Sequence, residues 1–331
     1  MKDGRVEEYP LIAIVGPTAA GKSALALSLA ERLDGEVVNY DSVQVYRGFD
    51  IGTGKLPLAE RRGIPHHLVD CLDPGDDFTA GDFRREALKA LREILERAKL
   101  PILVGGTGLY LRALLLGLFE GPPRSEHLRA RLRRLADRRG REFVHRLLDR
   151  LDPASAGRID PQDLQKVIRA VEVCLLARQS ISALHARGRE PLQGFRCLKI
   201  GLNPARSELY ARINQRAERM FASGLSDEVR CLLARSDAAR MKALGALGYR
   251  QVAAALRGET RWPDALGEMQ AATRQYAKRQ MTWFRREPDV TWFSAFGDDP
   301  ELQDRVLGSV NAVLGSKSKG AIDSPETRPL F

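Results

Sequence analysis

Long apolar runs are missing from this chain of 331 residues. Its longest uncharged apolar stretches, around residues 11–15 and 113–119, fall far short of the roughly 20 residues a helix needs to cross a bilayer, so no spanning helix and no membrane partner are expected. Cysteine is scarce as well: Cys71, Cys174, Cys197 and Cys231 form no C-x-x-C pair, which argues against both a disulfide framework and a zinc site. Residues 1–10 carry Glu7 and Glu8 and no apolar core, so they lack the layout of a secretory signal. The adjacent His66 and His67 have no third ligand at metal-site spacing and read as structural. No segment repeats. Together these absences fit a cytoplasmic protein with reduced thiols.

What is present supplies a core and a charge. A hydrophobic fraction of 44% is enough apolar material for one large domain or a core plus an insertion, and it rules out disorder as the main state. Lys and Arg number 53 against 43 Asp and Glu, a net charge of +10 that suits a polyanionic partner, although an arginine-rich background gives the same balance.

Residues 11–15 are followed by a glycine-bearing loop and by the helical pattern of residues 23–33. Across that loop Gly16, Pro17, Thr18, Ala19, Ala20, Gly21, Lys22 and Ser23 match G-x-x-x-x-G-K-[ST] in full. Glycines let backbone N–H groups turn inward around a phosphate, the helix N-terminus adds a favourable dipole, Lys22 adds a point charge, and the Ser23 hydroxyl can hold Mg²⁺. The motif is that of nucleotide-binding proteins, but it leaves open whether the bound diphosphate belongs to a nucleotide. Residues 36–38 and 101–104 suggest two further buried parallel strands. From residue 124 to 150 there are ten arginines and four acids in a helix-forming background, and no strand pattern returns until about residue 196.

The expected fold is therefore α/β: a P-loop NTPase-like core with a parallel sheet flanked by helices, plus an all-helical insertion domain. Its boundaries are drawn at 1–120 and 196–315 for the core, 121–195 for the insertion, and 316–331 for a frayed polar tail. In the returning part of the core, a strand at 197–202 precedes helices at 206–234, 247–256 and 264–285.

Three further stretches can carry chemistry. Asp41, at the end of the second strand, lies at the carboxyl edge of the sheet, where such folds bind ligands; it could bind metal, accept a proton, or simply cap the next turn. Gly105-Gly106-Thr107-Gly108 is a strand-end loop whose glycines could serve a ligand or only a tight turn. Residues 273–286 put cations and aromatics together on one helix. That pattern suits RNA, where cations meet phosphates and rings stack on unpaired bases, and it equally suits Tyr276 and Trp283 in a core under a solvated basic face.

Taken together, Gly-Pro-Thr-Ala-Ala-Gly-Lys-Ser, Asp-Ser-Val-Gln-Val-Tyr at 41–46, Asp-Ile-Gly-Thr-Gly-Lys at 50–55, Pro-His-His-Leu at 65–68, Gly-Gly-Thr-Gly-Leu-Tyr at 105–110 and Tyr-Ala-Lys-Arg-Gln-Met-Thr-Trp-Phe at 276–284 resemble the tRNA dimethylallyltransferase family in order and spacing, from residue 11 to about 295. Ser23 stands where many members have Thr, which keeps the hydroxyl. With no C-terminal zinc-finger pattern, the resemblance is to the bacterial form.

The resemblance implies transfer of a dimethylallyl group from dimethylallyl diphosphate to the exocyclic amine of the adenine 3′ of the anticodon, with ATP not the substrate. It implies that the diphosphate lies over residues 16–23 with Mg²⁺ and is clamped by Arg216. Lys22 and Arg216 would stabilise the leaving group, and Asp41 would be the general base. The tRNA anticodon stem-loop would be faced by Asp41, Ser42, Val43, Gln44, Thr107, Arg129, Gln165, Lys166, Val167, Ile168 and Arg169, and by Gly245, Gly248, Tyr249, Arg250, Lys278, Arg279, Gln280, Trp283 and Arg285. A monomer is expected. Three other readings share some of these features: a nucleotide or small-molecule kinase, an adenylate isopentenyltransferase acting on free nucleotide, and a non-catalytic RNA-binding protein.

Overall fold

The computed structural model describes residues 8–119, 121–186 and 188–315; the tail expected at 316–331 lies outside them. In chain order the elements are β1 (Tyr9–Val15), α1 (Lys22–Leu33), β2 (Gly35–Asn39), β3 (His66–His67), α2 (Ala80–Glu96), β4 (Leu100–Val104) and α3 (Gly108–Leu116). Then come α4 (Glu126–Arg139), α5 (Arg141–Leu151), α6 (Pro153–Ala156), α7 (Leu164–Ala177) and α8 (Ile181–Ala186). The chain continues with β5 (Phe195–Leu202), α9 (Arg206–Ala222), α10 (Leu225–Leu233), α11 (Tyr249–Leu256), α12 (Trp262–Phe284), β6 (Val290–Phe293) and α13 (Pro300–Gly315). No helix among the described residues is long and apolar enough to cross a membrane.

Two compact units result. The first comprises the chain up to Leu114 and from Gln193 onward. Its six strands form one sheet in the order β3-β2-β4-β1-β5-β6, and every pair is parallel. All five residues of β2 and of β4 are buried, as expected of strands covered on both faces, with Val37 and Val38 at the centre of β2 and an apolar run along all of β4. Their side chains pack with Leu25 and Leu29 of α1, Ile213 of α9 and Val306 of α13 into the main core. One acid sits in this layer: Glu36 on β2, buried, accepts from Arg97 at 2.7 and 2.9 Å and lies 2.7 Å from His67 Nε2. The histidine pair is thus the edge strand β3, with His67 partnering a core carboxylate. After β1 the chain steps past the place later filled by β4, and it later returns to β5 on the other side. This reversal next to β1 opens a crevice at the carboxyl ends of the strands.

The helix expected over 206–234 is two helices, because the chain turns at Ser223 and at Gly224, which sits at φ 96° in the left-handed region. The sequence reading assigned no element to α2, α3, β6 or α13.

The second unit, Leu115–Leu192, is entirely helical. Leu132, Val144, Leu148, Val167, Ile168 and Val171 form its core. Within it Glu172, fully buried, accepts from Arg129 Nε and Nη2 at 2.8–3.0 Å, from Arg169 Nη1 at 2.8 Å and from the Ser125 backbone N–H at 2.7 Å. This corrects part of the expected RNA face. Val167 and Ile168 are 0% and 3% exposed and offer no side chain to a ligand, and Arg129 is committed to an internal ion pair. Gln165 and Lys166 are exposed, and Arg169 is partly so.

Candidate active site

The loop after β1 delivers residues 18–23 to the crevice. Helix α1 begins at Lys22 with Gly21 as its cap and no side-chain cap bond, so its first N–H groups keep their capacity to bind an anion. Thr18, Ala19, Gly21, Lys22 and Ser23 line a cavity of about 350 Å³, whereas Gly16, Pro17 and Ala20 lie buried beneath it. Lys22 Nζ donates to the Gly16 and Pro17 carbonyls at 3.0 and 2.7 Å, folding back on its own loop. Removal from water and then the nearby Arg216 charge lower its pKa to about 7, while Asp41 pulls in the opposite direction.

Arg216 reaches the same cavity from α9. Its Nη1 donates to Thr18 Oγ1 at 3.3 Å and its Nη2 to the Thr53 carbonyl at 3.0 Å, and burial lowers its pKa. Two cations separated by 194 positions in sequence are thus brought to one concavity. Arg212 and Arg219, on the same helix, also line it, and Arg212 is paired with Asp298 at 2.7 Å. Their helical spacing from Arg216 in the sequence could have flagged both.

Asp41 plays two parts. Its Oδ1 accepts from the Val43 and Gln44 backbone N–H groups at 2.9 and 3.4 Å, which is the turn-capping use foreseen as an alternative. Its Oδ2 accepts no hydrogen bond among the described residues, and the side chain lines the cavity. Ser42 and Thr107 are joined through Thr107 Oγ1, which accepts from Ser42 N at 3.0 Å and donates to Ser42 Oγ at 3.2 Å.

A second cavity, of about 370 Å³, adjoins the first and shares with it Thr18, Asp41, Thr53, Arg216 and Tyr276. Its far wall is apolar, formed by Ile213, Ala217, Met220, Leu247 and Met269. Of the residues expected to face RNA, Ser42, Val43, Gly245, Arg250 and Arg279 line it. Gln44 lines the first cavity. Tyr249 also lines the second cavity but is almost wholly buried, with its hydroxyl donating to Glu228, and Gly248 is buried too.

Helix α12 closes the site. Gln280, 5% exposed, is a bridge between loops: Oε1 accepts from Thr18 N at 2.8 Å and Nε2 donates to the Gly106 carbonyl at 3.0 Å. The glycines of the 105–108 loop serve close packing, since a Cβ on Gly105 would come within 2.6 Å of the Tyr40 backbone and one on Gly106 within 2.6 Å of Gln280 Nε2. Trp283 packs over Gly108, with the Arg112 guanidinium 4.6 Å from its ring, and its buried Nε1 has no partner among the described residues. On the outer face Lys278, Arg279, Arg285 and Arg286 are exposed and none of them is paired with an acid among the described residues.

The described residues hold no cluster of three or more His, Cys, Asp or Glu able to cage a metal. A magnesium ion needs no such cage: one or two protein oxygens plus substrate phosphates and water suffice. Ser23 lines the cationic cavity, and its hydroxyl oxygen fits that requirement.

The sequence matches the IPP transferase family over residues 44–287 and the isopentenyl transferase family over residues 9–67. The tRNA dimethylallyltransferase of Solibacter usitatus is 53% identical over 306 residues, covering 92% of this chain and 99% of that protein. That of Geobacter metallireducens is 47% identical over 302 residues, covering 91% and 98%. Among solved structures, the full-length tRNA isopentenylpyrophosphate transferase of Bacillus halodurans superposes with a TM-score of 0.69 at 36% identity, over 95% of this chain and 99% of that one. A eukaryotic dimethylallyltransferase acting on tRNA gives a TM-score of 0.79 at 26% identity, over 93% and 80%. With matches of this extent in both sequence and structure, the chain belongs to the tRNA dimethylallyltransferase family.

Proposed function

We propose that this protein transfers the dimethylallyl group of dimethylallyl diphosphate to the exocyclic N6 amine of the adenine 3′-adjacent to the anticodon in tRNA. The observation that carries the reading is the continuity of a cationic cavity, built by Lys22 and Arg216, with an apolar-walled one, and the presence of Asp41 where they meet. The reaction needs those three properties. The allylic carbon–oxygen bond breaks as negative charge grows on the departing diphosphate, which Lys22, Arg216 and the open N–H groups of α1 would stabilise. The new bond forms between the allylic carbon and the adenine nitrogen. Asp41 Oδ2 would take the proton that nitrogen loses. Magnesium bound by Ser23 and diphosphate oxygens would further neutralise the leaving group. The target base is stacked in the anticodon loop and must be extruded to reach the cavity; the unpaired cations of α12 suit the surrounding phosphates.

The test is to incubate the protein with dimethylallyl diphosphate, Mg²⁺ and an anticodon stem-loop, with AMP as a parallel acceptor. The expected product is RNA carrying one dimethylallyl group in place of one hydrogen. Modification of AMP alone would make the protein an adenylate isopentenyltransferase, and phosphoryl transfer from ATP would make it a kinase.

A further inference from the structure

We infer that Glu228, on α10 and outside both cavities, is a positioning residue that holds the diphosphate clamp in shape by gripping the loop of residues 50–54; this rests on the reading of Arg216 as a diphosphate ligand. One carboxylate meets four donors. Oε2 accepts from the Asp50 and Ile51 backbone N–H groups at 3.1 and 2.7 Å, and Oε1 accepts from the Gly52 N–H at 3.2 Å and from the Tyr249 hydroxyl at 2.6 Å. Three consecutive N–H groups converging on one side chain fix the path of a loop that has no sheet or helix to do so. The far end is fixed as well. Lys55, 9% exposed, donates to the Tyr46 carbonyl at 2.9 Å, to Asp50 at 2.6 Å and to Asp70 at 2.5 Å.

Between these two anchors the loop presents Thr53, whose carbonyl accepts from Arg216 Nη2 at 3.0 Å and from Gln44 Nε2 at 3.3 Å. Gly54 lies flat against the guanidinium, where any Cβ would collide with Nη2. Among the described residues Arg216 has one other hydrogen bond, the 3.3 Å contact to Thr18 Oγ1, so the loop is its principal support. Removing the Glu228 carboxylate would leave three N–H groups and a buried hydroxyl without their acceptor. The loop would relax, and the guanidinium would lose the surface that aims it.

The variant to test is Glu228→Gln, which keeps the shape but replaces one acceptor oxygen with an NH₂ facing donors. The affinity for inorganic pyrophosphate with Mg²⁺, measured by calorimetry, and the single-turnover rate on an anticodon stem-loop are each expected to fall ~10–100-fold, the scale of a small misplacement of a binding group. KM for dimethylallyl diphosphate should rise while RNA affinity holds. The deciding comparison is a double-mutant cycle. In an Arg216→Ala background Glu228→Gln should add no more than about a twofold further loss, because its effect passes through Arg216. Should Glu228→Gln melt too low to assay, Glu228→Asp, which keeps the charge and withdraws it by one methylene, should show a smaller loss with the same non-additivity. Losses that multiply, or unchanged pyrophosphate affinity in the Glu228 variant, would overturn the inference. Unchanged pyrophosphate affinity in Arg216→Ala would overturn the reading of Arg216 itself, and the inference with it.

Discussion

Thr18 and Gln280 are 262 positions apart in the sequence and 2.8 Å apart in space, the backbone N–H of the first donating to the side chain of the second. Through Gln280 the end of α12 ties the phosphate loop to the Gly106 carbonyl. Gln280→Ala leaves the part-buried Thr18 N–H without its acceptor, and leaves the Gly106 carbonyl with only the 3.3 Å bond from the Tyr276 hydroxyl. It is expected to cost about 1–3 kcal/mol of stability, read from denaturant unfolding, and to weaken pyrophosphate binding. An unchanged unfolding midpoint would mean that water replaces the amide at no cost.

Much of the site was legible in the sequence because its parts are local. A phosphate loop is eight consecutive residues, and Asp41 follows its strand directly. What escaped is what depends on distant pairing. Gln280 was read as an RNA contact, since nothing near it in the sequence announces Thr18 as its partner. Glu228 drew no notice because the N–H groups it serves lie more than 170 positions away. Strands as short as His66–His67 and Val290–Phe293 give too few residues for periodicity to show, and they exist because the sheet edge beside them accepts their hydrogen bonds. Within α7 the helical period puts Val167 and Ile168 inside, although their neighbours Gln165 and Lys166 face out.

Lys22 supports a prediction in protons. Its pKa of about 7 in the folded chain lies below the ordinary 10.5, so between those values the unfolded chain binds more protons and stability rises with pH. A bound diphosphate favours the charged form and pulls a proton back on. At pH 8, pyrophosphate binding should therefore take up about one proton more in the wild type than in Lys22→Met, measurable by calorimetry in buffers of different ionisation enthalpy. Lys22→Ala and Arg216→Ala should each cut turnover ~10²–10³-fold. Near-normal turnover in Lys22→Ala would remove the cradle reading.

Asp41→Asn should fold normally, because the amide keeps an oxygen for the Val43 and Gln44 N–H groups. Both substrates should still bind. The chemical step, isolated in single-turnover experiments, should slow by about 10²–10⁴-fold for want of a proton acceptor. If binding is lost while the chemical step is unchanged, Asp41 is a ligand-binding residue instead.

The helical unit has its own acid limit. Burial would raise the Glu172 pKa, but hydrogen bonds from Arg129, Arg169 and Ser125 outweigh it and hold the value at about 2, against an ordinary 4.5. A carboxylate depressed in this way contributes stability above about pH 4.5 that disappears as pH falls toward 2. Glu172→Gln leaves two part-buried guanidinium groups, 16% and 33% exposed, without their anion and should cost about 1–3 kcal/mol at neutral pH. It should also flatten the decline in stability on acidification, followed by circular dichroism. An acid limb as steep as that of the wild type would place the titration elsewhere.

The outer face of α12 carries the RNA prediction. Lys278, Arg279 and Arg285 are exposed and have no acid partner among the described residues, and Arg279 lies 5.8 Å from the Tyr276 ring. Because none of the three supports the fold through an ion pair, charge-neutral replacements should leave the melting curve close to that of the wild type. If the cations contact phosphates, each one removed should lower the slope of log affinity against log salt by about 0.7–0.9 and weaken RNA binding regardless of sequence. Pyrophosphate affinity should not change, since the loop and Arg216 that form the cradle stay intact. A stable triple variant with an unchanged salt slope would show that this face is only solvated. Electrostatic contact with RNA would then fall to the exposed arginines of residues 124–150 and to Lys166, where the same salt series on charge-neutral variants would have to show the missing slope.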